Sequence, residues 1–322
     1  MPISILGIDI AKQKFDVALL CQNKSKHKIF NNNLSGFSQL LTWLQKQGVT
    51  QLHACLEATG SYGDALAHHL VDAGFTVSIV NPSQIKSFAG SQLIRNKTDK
   101  VDAALIANFC LKFQPPAWQP APVHIRELQA MVRRLDALLA LHTQETNRLD
   151  TAHTAVTESI QALLGILETQ IKTLKKRIRD HIDQHPDLRH NRDLLDTIPG
   201  IGEATISQIL AFIGEVSRFK TAKQLAAFIG LNPKQHFSGT SVRGRAHLSK
   251  MGNSALRKAF YMPALVAMTH NPTIHTFSQR LKQQGKNGKV IVCAAMRKLI
   301  HIIYGVLKSK QPFDTNLVTI NG

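Results

Sequence analysis

The sequence predicts a mixed α/β domain at the N-terminus, a long helical middle segment and a basic, mainly helical C-terminal domain. Three observations lead to this prediction. Short β-branched runs alternate with helical patterns up to residue 113, and a proline-rich stretch then follows. Residues 216–313 contain no Asp or Glu but hold 17 Lys and Arg. At 322 residues and a net charge of +18, the chain is long enough for about two domains.

The first domain is predicted from alternating strand and helix patterns. Strands are predicted at residues 3–10, 15–20, 28–31, 51–57 and 75–80. Helices are predicted at residues 36–47, 62–73 and 99–113, the last with Thr98 as its N-cap. The first two strands form a hairpin. An alternation of this kind indicates a mixed sheet with helices on its faces.

The rest of the chain is predicted to be helical. Four prolines in residues 114–122 mark a linker. Residues 125–182 show a helical pattern with balanced charge, which predicts two long helices, either a plain spacer or an oligomerisation arm. Further helices are predicted at residues 194–212 (interrupted by a turn), 223–229, 254–269 and 289–308. The predicted domains are residues 1–113, 114–186 and 187–322.

The charge distribution predicts a nucleic-acid partner. Residues 186–322 carry a net charge of +13, and a phosphodiester backbone is the commonest partner for such a surface. The four cysteines have no metal-ligand spacing, as in a reducing cytosol. We see no signal peptide, and residues 290–307 are interrupted by Arg297, Lys298 and His301, too polar a run to span a bilayer. The sequence therefore predicts a cytoplasmic protein without a membrane partner.

Four acidic residues of the first domain form a candidate metal site. Asp9 and Glu57 lie at the ends of two predicted strands, and Asp99 and Asp102 are three residues apart at the start of a helix, on one face. Carboxylate oxygens suit Mg²⁺, which supports phosphoryl transfer. Each residue alone could be a turn former or a helix-dipole partner. The combination is stronger evidence, because Asp9 follows an apolar strand and precedes a second one, as in the ribonuclease H-like fold, and Glu57 lies where the fourth strand of that fold ends.

Two segments of the last domain are candidates for contact with DNA. Gly200 and Gly202, in IPGIG between two helices, either bring backbone N–H groups to a phosphate or form a structural turn. The following loop holds Ser238 and Ser241 among basic residues that include Arg243, Arg245 and Lys250. Either it only grips phosphates, or a serine hydroxyl attacks phosphorus while cations hold the developing charge.

Several motifs in order resemble one known family over essentially the full length. They are GIDIAK, CLEATGSY, VNPSQIKSFAGSQLIRNKTDKVDA, IPGIG, AAFIGLNPKQ, SGTSVRG and SKMGNSALRKAFYMPA, the last containing Arg257 and Lys258. The family is the DEDD transposases of bacterial insertion sequences, which includes the Piv DNA invertase and the bridge-RNA-guided serine recombinases. The resemblance implies a RuvC-like (ribonuclease H-like) first domain, a coiled-coil middle and a transposase domain with a helix–hairpin–helix.

The resemblance also implies site residues and partners. Asp9, Glu57, Asp99 and Asp102 match the family's carboxylate quartet and would bind Mg²⁺. Ser238 matches its nucleophilic serine, with Ser241 as the second choice. Phosphate contacts are expected from Arg243, Arg245, Lys250, Arg257 and Lys258. Expected partners are DNA, a structured noncoding guide RNA and further copies of the chain in a dimer or tetramer.

The sequence is compatible with three functions. The first is a DNA recombinase that acts through a phosphoserine intermediate, with the carboxylates of one protomer and the serine of another at one strand. The second is a Mg²⁺-dependent hydrolytic nuclease or junction resolvase in which water attacks and no covalent intermediate forms. The third is a nucleic-acid-binding protein without enzymatic activity, which the intact set of four carboxylates disfavours.

Overall fold

The computed structural model describes residues 3–21, 24–58, 60, 62–93, 98–234, 237–238, 242–243, 247–249 and 251–315. The chain divides into two compact units, Met1–Pro120 and Ala121–Gly322. The first is a mixed α/β unit, and the described part of the second is almost entirely helical. The coarse fold prediction, α/β followed by helices, is confirmed. The predicted division into three domains stays a prediction.

The first unit is built on a five-stranded sheet with the strand order β3-β2-β1-β4-β5. The strands are β1 (Ser4–Ile10), β2 (Lys14–Cys21), β3 (Lys24–Asn31), β4 (Leu52–Glu57) and β5 (Thr76–Val80). β2 runs antiparallel to β1 and β3, whereas β4 lies parallel to β1 and β5 parallel to β4. All five predicted strands are present, each within about four residues of its predicted start.

Helices cover both faces of this sheet. They are α1 (Leu34–Lys46), α2 (Asp64–Asp72), α3 (Pro82–Ser91) and α4 (Asp99–Phe113). Side chains alternate along β1, so Leu6 and Ile8 enter a core with α1 and α2, whereas Ile5 enters a second core with α3 and α4. The central strands β1, β2 and β4 are therefore buried on both faces, whereas the edge strand β3 is largely exposed.

α3 was not predicted, because Asn81-Pro82 was interpreted only as the end of a strand. In the structure Asn81 is the N-cap of α3, its Oδ1 accepting a hydrogen bond from the Ser83 N–H at 2.8 Å, and Pro82 opens the helix. Both residue types are favoured at these positions. The predicted linker also packs in part onto this unit, since the Trp118 N–H donates to the Val77 carbonyl at 2.7 Å.

The second unit begins with two long helices, α5 (Val123–Leu149) and α6 (Thr154–Gln184), as predicted. Their apolar stripes face each other, with Leu128, Val132 and Leu135 of α5 in one cluster with Ile171 and Ile178 of α6. That cluster continues into the C-terminal helices. These are α7 (Pro186–Asp196), α8 (Glu203–Phe212), α9 (Ala222–Ile229), α10 (Ser254–Ala259), α11 (Tyr261–His270), α12 (Pro272–Gln283) and α13 (Gly288–Ser309), with a 3₁₀ turn at Val216–Arg218.

The C-terminal segment differs from its prediction in two places. The helix predicted at residues 254–269 is two helices that meet at Phe260, and α12 had not been predicted. The predicted loop carries four two-residue strands, β6 (Pro233–Lys234), β7 (Phe237–Ser238), β8 (Val242–Arg243) and β9 (His247–Leu248). β6 pairs with β9, and β7 pairs with β8.

α13 is the central helix of this unit. It is long and apolar enough to cross a membrane by length and composition alone, yet 61% of its most apolar stretch is buried within the unit. Tyr304 anchors it by donating from its Oη to the Phe219 carbonyl at 3.0 Å. Its apolar character is therefore that of a core helix.

Candidate functional site

The ends of β1 and β4 bring Asp9 and Glu57 to one face and one edge of the sheet. The two strands are parallel, and Gly7 lies opposite Cys55 in their register. Asp9 and Glu57 each stand two residues further along, so they share the face of Gly7 and Cys55. This register agrees with the prediction that the two carboxylates lie at neighbouring strand ends.

α4 lies unusually close to this face. A Cβ atom added to Gly7 would stand 2.2 Å from both the Ala103 carbonyl oxygen and the Ala107 nitrogen, so only glycine allows the helix backbone to approach here. Thr98 caps the helix through its Oγ1, which accepts from the Val101 N–H at 3.3 Å. The first turn of α4 therefore starts beside the strand ends.

The electrostatics of Asp9 reflect its burial and the charges of other acidic side chains that act on it. Burial raises the pKa of Asp9 from its ordinary 3.8 to about 6, and Asp102, Asp99 and Glu57 add to the rise by charge repulsion. A raised pKa of this kind marks a carboxyl whose ionised form lacks sufficient positive charge nearby. The site can therefore accept additional cationic charge.

The structure adds a fifth carboxylate, Asp16, which the sequence analysis missed. Asp16 on β2 is the direct cross-strand neighbour of Asp9 and also contributes to its raised pKa. Its side chain is only 4% exposed and contacts the His27 ring, with Nε2 and Oδ1 2.8 Å apart. The signal was present in the sequence, because Asp9 and Asp16 flank a short hairpin whose register sets them opposite each other.

Lys14 is a second residue that the sequence analysis missed. Its Nζ donates to Asp99 Oδ2 at 2.8 Å and to Asp16 Oδ2 at 3.4 Å. The hydrogen bond to Asp99 raises the pKa of the Lys14 ammonium, and the same bond holds the pKa of Asp99 below its ordinary value. Lys14 thus bridges the start of α4 and the second strand.

The donor set suits a hard divalent cation in chemical type and in charge. All five carboxylates offer oxygen ligands, which Mg²⁺ prefers, and burial together with repulsion from the other four raises the pKa of Asp9. Within the described ranges, no three His, Cys, Asp or Glu side chains are close enough together to hold a metal ion. One of the acidic side chains, Asp99, is instead in contact with the Lys14 ammonium.

The predicted serine lies in the second unit. Ser238 is the second residue of β7, and its backbone pairs with Val242 of β8, next to the pair of Phe237 with Arg243. Ser241, Arg245 and Lys250 lie outside the described residues. Ser238 and Arg243 thus lie on two short antiparallel strands that pair with each other.

The two predicted glycines of IPGIG have different surroundings. Gly200 has a positive φ of +99°, and an added Cβ would stand 2.7 Å from the Ala267 Cβ, so its close approach is to α11. Gly202 is exposed at the N-terminus of α8, where helix N–H groups favour anions. The neighbouring Glu203 already occupies that end and is paired with Arg179 at 2.9 Å.

Arg257 and Lys258 lie on α10, which begins at the cap Asn253. Lys258 is exposed, whereas Arg257 is half-buried and donates from Nη1 to the Ile229 carbonyl at 3.1 Å. Arg257 therefore also stabilises the end of α9, and Lys258 is the freer surface charge of the two.

Comparison with known proteins assigns the chain to a family. A model described as the transposase IS116/IS110/IS902 family matches residues 192–279, and a second transposase model, of IS110-type DEDD transposases, matches residues 6–156. The pilin gene-inverting protein of Moraxella bovis is 37% identical over 97% of this chain and 98% of its own length. The transposase of insertion sequence element IS1111A from Coxiella burnetii is 25% identical, covering 83% of this chain and 79% of the relative. The chain therefore belongs to the DEDD transposases of the IS110/IS116/IS902 family and is a DNA transposase or recombinase.

Proposed function

We propose that the chain cuts and rejoins DNA through a phosphoserine intermediate, with Mg²⁺ held by Asp9, Glu57, Asp99 and Asp102. The observation that carries this proposal is the parallel register of β1 and β4, which brings Asp9 and Glu57 to the strand ends on the face that α4 covers. Burial, with added repulsion from other carboxylates, raises the pKa of Asp9 there to about 6. The strand order and directions of the first unit are compatible with a RuvC-like, ribonuclease H-like domain, in which strand-end carboxylates bind metal.

The covalent step is assigned to Ser238, with Ser241 as the alternative nucleophile. The serine Oγ forms a bond to the phosphorus of a DNA phosphodiester and loses its proton to water. The bond from phosphorus to one deoxyribose oxygen breaks, and that oxygen leaves as a hydroxyl after taking up a proton. A hydroxyl of the exchanged strand then attacks the phosphoserine, which restores the serine and rejoins the DNA.

The roles of metal and protein in this step are distinct. When bound, Mg²⁺ supplies Lewis-acid stabilisation of charge on the phosphate oxygens. The quartet orients and holds it, and Arg243, Arg245 and Lys250 bind phosphate oxygens around the serine. Lys258, Arg257 and the turn at Gly200 and Gly202 would bind the flanking backbone. The absence of Asp and Glu from residues 216–313, which hold 17 Lys and Arg, supports these phosphate contacts.

We assign the quartet and the serine that act on one strand to different protomers. Helices α5 and α6 would form the coiled-coil arm of a dimer or tetramer. Large apolar side chains are exposed on the half of each helix nearest their connection, namely Leu139, Leu141, Val156, Leu163 and Ile166. An exposed apolar surface of this kind is typical of an interaction site. The proposed domains are residues 1–113, 114–186 and 187–322.

A structured noncoding guide RNA is the proposed source of target choice, with the complex acting in the cytoplasm. The net charge of +13 on residues 186–322 suits either an RNA or a DNA backbone. The low aromatic content of 6% argues against base stacking as the main mode of contact.

Nicking of supercoiled DNA tests the metal-dependent part of this proposal. The DNA carries the ends of the element that encodes the chain, and RNA copied from its flank is added. We expect Mg²⁺-dependent nicking that falls at least about 100-fold in Asp9→Asn and Glu57→Gln, a loss on the scale of a major electrostatic catalytic contribution. The control is Asp72→Asn, an exposed carboxylate at the end of α2. Undiminished nicking in both site variants would reject the assignment.

A further inference from the structure

Lys14 joins two acidic groups that are distant in sequence. It is the first residue of β2, and its side chain is 45% exposed. Its ammonium contacts Asp99 Oδ2 at 2.8 Å, at the start of α4, and Asp16 Oδ2 at 3.4 Å, on its own strand. Residues two apart on a strand share a face, so Lys14 and Asp16 lie on the same side as Asp9.

The two partners of Lys14 differ in how firmly they are held. The Asp16 side chain is 4% exposed, and its other oxygen is 2.8 Å from the His27 ring nitrogen. The Asp99 side chain is 55% exposed. The Lys14–Asp16 side is therefore the fixed side of this bridge, and Asp99 is the group free to reorient.

A metal ion and the Lys14 ammonium would compete for the same carboxylate. An ammonium in contact with Asp99 and a divalent ion bound to that group would lie within about 5 Å of each other and repel. The divalent ion, with two positive charges, offsets more of the negative charge around Asp9 than the single charge of the Lys14 ammonium does.

We propose that Lys14 is the counter-ion of the carboxylate cluster in the metal-free protein, and that metal binding displaces its ammonium from Asp99. Lys14 is then a positioning residue that holds the first turn of α4 until the ion arrives. This inference rests on the proposed function, since it takes Asp99 to be a metal ligand. It adds that the Lys14 ammonium competes with the metal ion for Asp99 and thereby lowers the metal affinity of the site.

Titration with Mn²⁺ in the absence of nucleic acid tests the competition in the full chain. At about 0.15 M salt, where long-range charge effects are screened, we expect Lys14→Met to bind Mn²⁺ roughly two- to fivefold more tightly than the natural protein. An exposed ion pair has about this influence. Lys12→Met is the matched control, an exposed lysine two residues away, and should leave the affinity unchanged. Lys14→Arg, which keeps the charge, should not tighten binding.

Chemical labelling measures whether metal binding displaces the Lys14 ammonium from Asp99. Acetylation of Lys14 relative to Lys12, measured by mass spectrometry in the natural protein, should rise several-fold when saturating Mg²⁺ is added. Metal binding with unchanged Lys14 labelling, or equal Mn²⁺ affinity in Lys14→Met and Lys12→Met, would overturn this inference alone. Failure of the natural protein to bind Mn²⁺ would instead reject the metal part of the proposed function, and this inference with it.

Discussion

At the scale of single residues, the site is defined by a concentration of negative charge around Asp9. Asp9 stands opposite Asp16 and near Glu57, Asp99 and Asp102, and burial together with these charges raises its pKa to about 6. Without metal, ionised Asp9 therefore opposes folding. A protein under selection for stability alone would not keep such a group, which supports a role in binding a cation.

This cost gives a stability prediction for Asp9→Asn. The folded-state pKa of Asp9 lies above its unfolded value, so its destabilising effect develops as pH rises from about 4 to about 6 and persists above that range. In EDTA at pH 7.5 we expect the free energy of unfolding of Asp9→Asn to be about 1 kcal/mol larger than that of the natural protein. This value is smaller than the full pKa difference would give, because solvent screens a partly buried charge. Urea denaturation measures the difference.

The same comparison at pH 4 supplies the control. There Asp9 is protonated in the folded protein and about two-fifths protonated in the unfolded one, so the advantage of Asp9→Asn should shrink to a few tenths of a kcal/mol. A gain that is equal at both pH values would mean that the charge of Asp9 is not the cause.

At the scale of elements, the site depends on how closely α4 packs on β1. Gly7 makes that contact possible, because its missing side chain leaves room for the backbone at Ala103 and Ala107. The start of α4 at Thr98 and the strand ends could be predicted from capping and periodicity. The close approach could not, since nothing in a single sequence says which helix crosses Gly7.

Gly7→Ala is expected to destabilise the first unit by about 3 kcal/mol or more. The new Cβ would meet backbone atoms at 2.2 Å, which forces the helix to move, and overpacking of this kind costs about 1–3 kcal/mol even where side chains can give way. Gly90→Ala is the matched control, because its Cβ would have nothing within 4 Å. That change should be neutral or stabilise by up to about 1 kcal/mol. Thermal melting of both variants checks the pair, and equal melting temperatures would contradict the packing argument.

The helical arm gives a second prediction at this scale. Leu163 and Ile166 on α6 are 42% and 60% exposed, so replacing both with Gln removes apolar surface without opening the core. We expect the double variant to lose oligomers in light scattering coupled to size exclusion, with its melting temperature changed by less than about 2 °C. Gln161→Ala, an exposed position on the opposite face of α6, is the control. An unchanged mass would show that this surface is not the interface.

The elements show what the sequence can and cannot predict. The strands of the first unit and the long helices α5 and α6 were predictable, because their apolar residues recur with the regular period of a strand or a helix. α3 was missed since Asn81-Pro82 both ends a strand and starts a helix. Lys14 and Asp16 were missed because carboxylates were sought only at strand ends and helix starts, whereas the hairpin register brings the beginning of β2 to the same place.

At the scale of the whole molecule, charge and chemistry are divided between two units. The five carboxylates lie in Met1–Pro120, whereas Ser238 and the acid-free window lie in Ala121–Gly322. This division fits an enzyme in which one unit supplies the metal ligands and the other holds the polyanion and the nucleophile.

The salt dependence of DNA binding tests the role given to the second unit. Lys258 is exposed on α10, so Lys258→Gln should weaken binding to DNA of any sequence and reduce the slope of log affinity against log salt by about 0.9. Lys46→Gln, an exposed lysine at the end of α1, should leave both quantities unchanged. Fluorescence anisotropy at several salt concentrations measures them, and equal effects of the two variants would argue against a dedicated basic surface.

The most direct test of the central claim is a search for protein covalently attached to DNA. End-labelled DNA carrying the element's ends is incubated with the protein, Mg²⁺ and RNA copied from the element's flank, and is then run on a denaturing gel. We predict a slow band that protease removes, that is absent with Ser238→Ala and that is retained with Ser241→Ala. Cleaved DNA without attached protein would contradict the account and indicate hydrolysis by water. An adduct that survives in Ser238→Ala would contradict the choice of nucleophile.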